Sequence, residues 1–480
     1  MAVTFTLTST GLTTVDFTDA TFDFIFADVD YVPVVASPTG DGSIPPYVTE
    51  TLPVILRGTS HDDMATSMQE LAALQKRAAE YWVDQQQATP VWLNCKLYSE
   101  TGARRALVKA IHYEFRPDVE AVYRDCAGVQ DYLVGTVLIE RHPYWERTAT
   151  RTFPNATPAA AASVAYDYTA TADIVGDVPA RINALTFYSD DVVNVIQNLW
   201  MGIRSTTLHG ADGVTNFDPV WELEDAGALG TDVTVDAASD TTNASPGGGS
   251  GEFIKVIENI RDWDAQYWPV CTITLADVGY ADYDDAAGRF LLLLRGLVTA
   301  GEWSVYARAG LGTAYSYADP ISITSTVWQH HELALPSIPA YDRQSFTTAS
   351  IHPFALYIYA KRISGAGNLW LDCVCPIPID EGFCKISNTL LILSSNRYAI
   401  MGEGPHGHFQ AMCIADEAAD YDLYLPVYEW EALRLPPGDG RLIIAYSNAA
   451  GALTVGLDIA NAATSASTYT ERWSALRGAE

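Results

Sequence analysis

RGTSHDDMATSMQELAALQKRAAEYW, residues 57–82, carries a helical period in a chain whose other segments read as strands. Ser60 stands where an N-cap accepts a hydrogen bond from the first turn, with Asp63 at the capping-box position. Asp62 suits the positive end of the helix dipole. Met64, Met68, Leu71, Leu74, Ala78 and Trp82 recur at three- and four-residue steps, which predicts an amphipathic helix over 61–82. Glu70, Lys76, Arg77 and Glu80 fall on its polar side. The plainest use of a lone helix is to cover one open face of a sheet.

Around the helix the pattern is β. TFTLTST, FDFIFADV, YVTETLPVILRG, TPVWLNCKLY, RRALVKAIHYEF and YLVGTVLIERHPYWE carry β-branched and aromatic residues at strand spacing, with SPTGDGSIPP and SETGAR as turns. These segments make a first module over 1–150. The Ala-, Thr- and Pro-rich stretch 151–175 is expected to be a linker. From 176 to 380 the strand-like segments recur at regular intervals, as in WPVCTITLADV, GRFLLLLRGLV and FALYIYAKRI, the rhythm of a jelly-roll sandwich. Strand patterns resume over 381–480, a third β unit. The fold class expected is therefore mainly β: several β-sandwiches of jelly-roll type with one amphipathic helix.

Composition narrows the function. At 480 residues the chain exceeds one ordinary core, and 48% hydrophobic content is ample for packed domains. With 59 acidic against 28 basic residues, the net charge of −31 argues against nucleic-acid binding, which needs a basic face. The start, MAVTFTLTSTGLTTVDF, lacks the basic and apolar regions of a leader, and FLLLLRGLV (290–298) is too short to span a bilayer, so a soluble protein is expected. Seven cysteines, an odd number, point to buried thiols rather than a disulfide framework. Cys373, Cys375 and Cys384 form no pair of zinc-ligand spacing.

Catalytic patterns are missing. HHELAL, at His330 and His331, lacks the second histidine of HExxH, and no nucleophile elbow or Walker A sequence occurs. His406 and His408 of PHGHF would share a strand face, but no third ligand completes a metal site. ADYDDAAG (281–288) departs from a calcium loop in its glycine and final glutamate, and the Gly-rich 238–252 has no lysine for a phosphate cradle. Trp200, Trp221, Trp263, Trp268, Trp303, Trp328 and Trp370 either fill the space between sheets or stack on sugar rings, and burial is the commoner fate. No enzymatic activity is expected.

LPVILRGTSHDDMATSMQELAALQKRAAEYW, followed by PVWLNCKLYSETGARRALVKA and VLIERHPYWE, resembles the N-terminal domain of siphophage distal tail proteins and related prophage tail proteins. The likeness covers about residues 45–150. It implies a β-sandwich with a helix whose copies associate, commonly as a hexamer, into a ring beneath the tail tube. In that reading the helix module (Ser60, Asp63, Met68, Leu71, Trp82) backs the sheet that meets neighbouring copies, whose open strand edges invite pairing. The 176–380 module is similar to the galectin-like or carbohydrate-binding-module-like jelly rolls that such proteins insert. By position, that likeness nominates Glu222, Glu224 and Asp372 as ligands of a structural calcium, with no other cofactor. It implies a structural component of the virion tail whose partners are itself, the tail tube and tail-tip or baseplate proteins, with a surface saccharide as a further candidate. The alternatives from other classes are a non-catalytic lectin or adhesin and, third, a glycoside hydrolase with two cleft carboxylates.

Overall fold

The computed structural model describes residues 4–474 apart from 19–22, 27–32, 37–44, 85–87, 97–101, 118–131, 153–164, 168–174, 188–194, 206–220, 237–251, 258–259, 275–289, 312–313, 335–353, 380–381, 393–396, 402–409, 415–420, 425–427, 432–433, 436, 439 and 449–467. The chain is mainly β, built from several antiparallel sheets and a single described helix, His61–Val83 (α1). It divides into two compact units. The first comprises Met1–Arg151, Gly176–Val178 and Thr470–Glu480, and the second Thr152–Val175 and Pro179–Tyr469.

The first unit is organised by the 14-residue strand Arg104–Pro117, which belongs to two sheets. Its first residues lie between Trp92–Lys96 and Trp145–Arg147. Beyond a bulge at Val108/Ala110 it pairs with Tyr132–Arg141, which pairs in turn with Val48–Arg57 and that with Asp23–Phe26. The inward residues Leu52, Val54, Leu56, Ile111, Val137 and Ile139 meet Leu71, Leu74 and Ala78 of α1 in one core.

Beyond Leu107 the side of Arg104–Pro117 that held Trp92–Lys96 is taken over by the helix. Gln75 Nε2 donates to the Ile111 carbonyl (2.6 Å) and Trp82 Nε1 to the Val108 carbonyl (3.1 Å). The helix therefore closes a strand edge as well as contributing to the core, satisfying carbonyls that would otherwise invite another strand. Expected to back a sheet, α1 packs Leu71, Leu74 and Ala78 against its inward residues and also reaches its edge through Gln75 and Trp82.

The cap forms at the predicted residue: Ser60 Oγ accepts from Asp63 N (3.2 Å). Asp63 reaches one residue further back than a capping box, accepting from Thr59 N (2.8 Å) and Thr59 Oγ1 (2.9 Å), and these two donors hold its carboxyl below the usual range. Ser67 is buried within the stripe while Met68 is only half-buried, since Ser67 Oγ turns back to the Asp63 carbonyl (3.3 Å). Trp82 is braced edge-on by Tyr47, with ring centroids 5.6 Å apart.

The first unit is finished by a distant segment. Arg472 and Trp473 pair with Glu146 and Trp145. Glu471 is fully buried between Arg147 (3.0 Å) and Arg151 (3.2 Å), and Arg472 meets Glu146 (3.2 Å).

In the second unit, residues 221–378 form a sandwich of two six-stranded sheets. One runs Val233–Asp236, Phe253–Val256, Leu369–Pro378, Phe290–Val298, Gln329–Ala334, with Trp221–Glu222 also against Leu369–Pro378. The other runs Ala228–Leu229, Trp268–Thr274, Phe354–Ser364, Glu302–Leu311, Ala314–Tyr317, with Ile321–Ile323 also against Glu302–Leu311. A single core joins them.

The strands flanking this sandwich pair with each other. Val195–Ser205 lies between Phe383–Ile392 and Gly440–Asn448, and Ala184–Phe187 pairs with Tyr398–Met401. The division thus runs differently from the boundaries read along the sequence: 176–205 shares sheets with 383–448, so the sandwich is nested within a β layer made from both its flanks. Strand patterns are local, whereas strand partners are not.

Candidate functional site

Three places in the molecule concentrate chemistry-bearing or partner-seeking groups. The first is acidic. Trp221–Glu222 pairs antiparallel with Leu369–Pro378, setting Glu222 opposite Cys373, and Leu223 N donates to the Asp372 carbonyl (2.9 Å). Glu222 and Glu224, two residues apart, point to one side while Leu223 enters the core. A bulge re-aims Asp372: between Leu294↔Val374 and Gly296↔Leu371, one residue on one strand faces two on the other. Ligand oxygens of Glu222, Glu224 and Asp372 consequently lie within 4.8 Å of one another.

The donor set suits a hard divalent cation, since calcium takes carboxylate oxygens at about 2.3–2.6 Å. Arg295 meets Asp372 Oδ2 in a short, buried ion pair beside the cluster. Cys373, opposite Glu222, is held well above the usual thiol range, first by burial and then by Asp372 and Glu222. Cys375 and Cys384 are likewise buried and form no disulfide, and burial pushes Cys271 up to about 12.

His330 and His331 stand across from Arg295 and Leu294 on Gln329–Ala334. Burial, then Arg295 and His331, pushes His330 down to about 3, so it stays neutral beside Trp200. His406, His408, residues 281–288 and most of 238–252 lie outside the described residues.

The second place is the outer face of the first unit's sheet. Outward positions on Val48–Arg57 and Tyr132–Arg141 pair as Thr51↔Leu138, Pro53↔Thr136 and Ile55↔Val134. Leu138 and Val134 are 37% and 38% exposed, although their strand is central, with partners on both sides. Polar groups flank these aliphatics: the Lys109–Glu140 pair at one end, and exposed His112 and Glu114 across from Leu138 and Thr136 on the neighbouring strand. Most sheet faces exposed to water alternate toward polar residues, so uncharged aliphatics at this location mark a surface suited to a partner.

Third are the aromatics. Trp200, Trp263, Trp303 and Trp328 are buried, Trp268 and Trp370 half-buried. Packing is thus their main role. The aromatic groups that do face outward are tyrosines: Tyr267, Tyr306, Tyr317, Tyr357 and Tyr359, clustered on the second sheet of the sandwich. The alternation in ALYIYAK was the available signal for two of them.

A scan against protein-family models finds no match to this chain, and no curated protein matches it.

Proposed function

We propose that this protein is a structural, non-enzymatic assembly subunit: a distal-tail-type hub whose copies close into a ring joining a virion's tail tube to its tip or baseplate. The observation that carries this reading is the uncharged Thr51–Pro53–Ile55/Val134–Thr136–Leu138 surface. Copies carrying a net charge of −31 repel one another, so self-association needs exposed aliphatic area, which Val134 and Leu138 offer on either side of Thr136. An edge closed by α1 limits how strands add to the sheet, which favours a defined, closed assembly over open stacking.

Light scattering after size exclusion, across a dilution series, tests the reading. The expected result is a closed oligomer, a hexamer in the resembled family, that Leu138→Glu converts to a 52.2 kDa species. A wild-type monomer at every concentration, with a tail-tube preparation present, would sink it. No described helix is long and apolar enough to cross a membrane.

In the same reading Glu222, Glu224 and Asp372 hold a structural calcium ion. For a site of about 0.1–1 mM affinity, 5 mM calcium stabilises by about 1–2 kcal/mol, a midpoint shift of a few degrees. Differential scanning calorimetry should show that shift in the wild type and its loss in Glu222→Gln/Glu224→Gln. An identical response in both proteins would remove calcium from these residues.

The lectin alternative rested on exposed tryptophans. Trp200, Trp263, Trp303 and Trp328 are buried, and Trp268 and Trp370 are half-buried, which supports it less than the assembly reading.

A further inference from the structure

One end of the 221–378 sandwich is closed by turns that cross between its two sheets. Val256 and Val298 both pair with Leu369, Glu302 pairs with Ser364, and Trp268 with Ala360, so the turns beyond these residues lie together. Val298 N donates to the Ser325 carbonyl (2.8 Å), Thr299 N to that of Asn368 (2.9 Å) and Arg362 N to that of Trp263 (3.0 Å). The flanking strands join the sandwich at the other end, where Pro378 faces Phe290 and the chain runs on to Phe383.

Three aliphatic side chains stand in water at this end: Ile260 (77% exposed), Val327 (52%) and Ile363 (49%). Each is held there by its own local device. Asp232 is the described non-glycine residue with a left-handed backbone (φ 67°), and its Oδ2 accepts from Ile260 N (2.8 Å) and Arg261 N (2.6 Å). A disfavoured conformation is thus kept where it fixes the turn that bears Ile260. Ser325 Oγ accepts from Val327 N (3.2 Å) and donates to the Val327 carbonyl (2.8 Å). Ile363 is the extra residue of a bulge, between Glu302↔Ser364 and Trp303↔Arg362, and a bulge re-aims a side chain. Gly301 and Gly365, both at positive φ, pack backbone on backbone beside it; a Cβ on Gly365 would stand 2.7 Å from the Gly301 Cα.

Aromatic rings lie one layer behind the tips. Trp328, next to Val327, packs against Phe253 and Trp370. Trp268 lies under the Arg261 guanidinium (4.3 Å), and its Nε1 donates to the Asp262 carbonyl (2.9 Å). Aliphatic tips, then tryptophan and arginine, is the order of side chains from the acyl boundary of a bilayer out to its headgroups. The carboxylates here hold the turns. Asp262 Oδ1 accepts from Asp264 N (3.1 Å) and Ala265 N (3.2 Å), Asp264 from Arg362 (2.6 and 2.9 Å) and Glu302 from Ser322 Oγ (2.5 Å). Among the described residues of this end, Asp232, Asp262, Asp264 and Glu302 outnumber Arg261, Lys361 and Arg362, which disfavours anionic headgroups.

Size separates a lipid surface from a protein partner. Four strand spacings of about 4.8 Å and two sheets about 10 Å apart give roughly 200 Å². That falls well short of the ~800 Å² per partner of a stable protein interface. A bilayer needs no continuous matching face and takes separate tips one by one.

We propose that this end of the sandwich docks on a zwitterionic lipid surface, with Ile260, Val327 and Ile363 entering the acyl boundary and Trp268 and Arg261 at headgroup depth. The contact is peripheral, and it stands whether or not copies of the chain assemble.

Flotation of the full-length protein with phosphatidylcholine vesicles tests it, beside vesicles containing phosphatidylglycerol and a lipid-free control. The wild type should rise with phosphatidylcholine vesicles and stay down without lipid. Ile260→Ser should lower the partition about tenfold or more, the factor that burying an isoleucine side chain represents. Ile260→Ser/Val327→Ser/Ile363→Ser should stay in the lipid-free fraction, with its unfolding midpoint checked against wild type. Val83→Ser, which removes a 90% exposed aliphatic from the first unit, should float as wild type does. No flotation with phosphatidylcholine overturns the proposal. So does flotation with phosphatidylglycerol vesicles alone, which would make the contact electrostatic, and so does equal flotation of the folded triple variant. If wild type ignores vesicles while the triple variant changes mass in light scattering, the end is a contact between proteins and the lipid proposal falls.

Discussion

Arg141→Met is expected to destabilise the first unit by about 3–5 kcal/mol, because it leaves a carboxylate buried without its counter-charge. Arg141 and Glu50 are both 0% exposed. Arg141 Nε donates to Glu50 Oε1 (2.8 Å), and Nη2 makes a second, shorter contact to the same oxygen. The guanidinium also donates to the carbonyls of His142 (2.7 Å) and Val34 (2.7 Å) and lies 4.2 Å over the Trp145 ring. Glu50 in turn accepts from Val34 N with both oxygens (3.1 Å each). One buried ion pair therefore holds both polar groups of the Val34 peptide and ties Val48–Arg57 to Tyr132–Arg141. Hydrogen exchange in those two strands reads the effect without requiring the whole chain to unfold in one step. Protection there should fall by about two to three and a half orders of magnitude, as ~3–5 kcal/mol implies. The double variant Glu50→Leu/Arg141→Met should recover most of the loss, since neither charge then remains buried. Protection unchanged in the single variant would show that water reaches Glu50.

Arg295→Met should cost the sandwich a comparable ~3–5 kcal/mol. Arg295 is held in place by Asp372 and packs 4.9 Å from the Trp328 ring, with both members of the ion pair nearly fully buried. Without it, the carboxylates of Glu222, Glu224 and Asp372, within 4.8 Å of one another, lose the Arg295 guanidinium from their surroundings. The variant therefore separates two roles. If the carboxylates take calcium, the cation should bind more tightly to the variant than to wild type and restore part of its stability, seen as a larger calcium-induced midpoint shift in calorimetry. If Arg295 is the cluster's only counter-ion, calcium leaves the variant as unstable as it found it, and the metal reading fails. Proton uptake is a second readout. Arg295 contributes to keeping His330 neutral, so its removal should raise the pH at which His330 titrates.

Local features were legible in the sequence. The helix predicted over 61–82 spans His61–Val83 and begins at the predicted cap, because Ser60 and the apolar period both act within a few residues. Strand segments were equally visible, since alternation needs only a short window. What local pattern does not carry is the identity of strand partners. Nothing in NVIQNLWMGIRS marks it for FCKISNTLLI and GRLIIAYSN, more than 180 and 230 residues away. The acidic cluster came from positional likeness alone; Asp372 reaches Glu222 and Glu224 through a bulge opposite Arg295, and a bulge has no signature in DCVC. The tyrosine face was missed for a different reason: attention went to tryptophan, the larger ring, which the core claims first.

The pairing of Arg472 and Trp473 with Glu146 and Trp145 also sets an order of events during synthesis. Arg147 and Arg151 leave the ribosome more than 300 residues before Glu471, whose carboxylate they enclose. Throughout translation of the intervening segment, the amino-terminal unit must wait with two arginines uncovered and its sheet one strand short. The nascent chain thus completes this unit only after residues 152–469 have been made, and its integrity becomes a check that they have been.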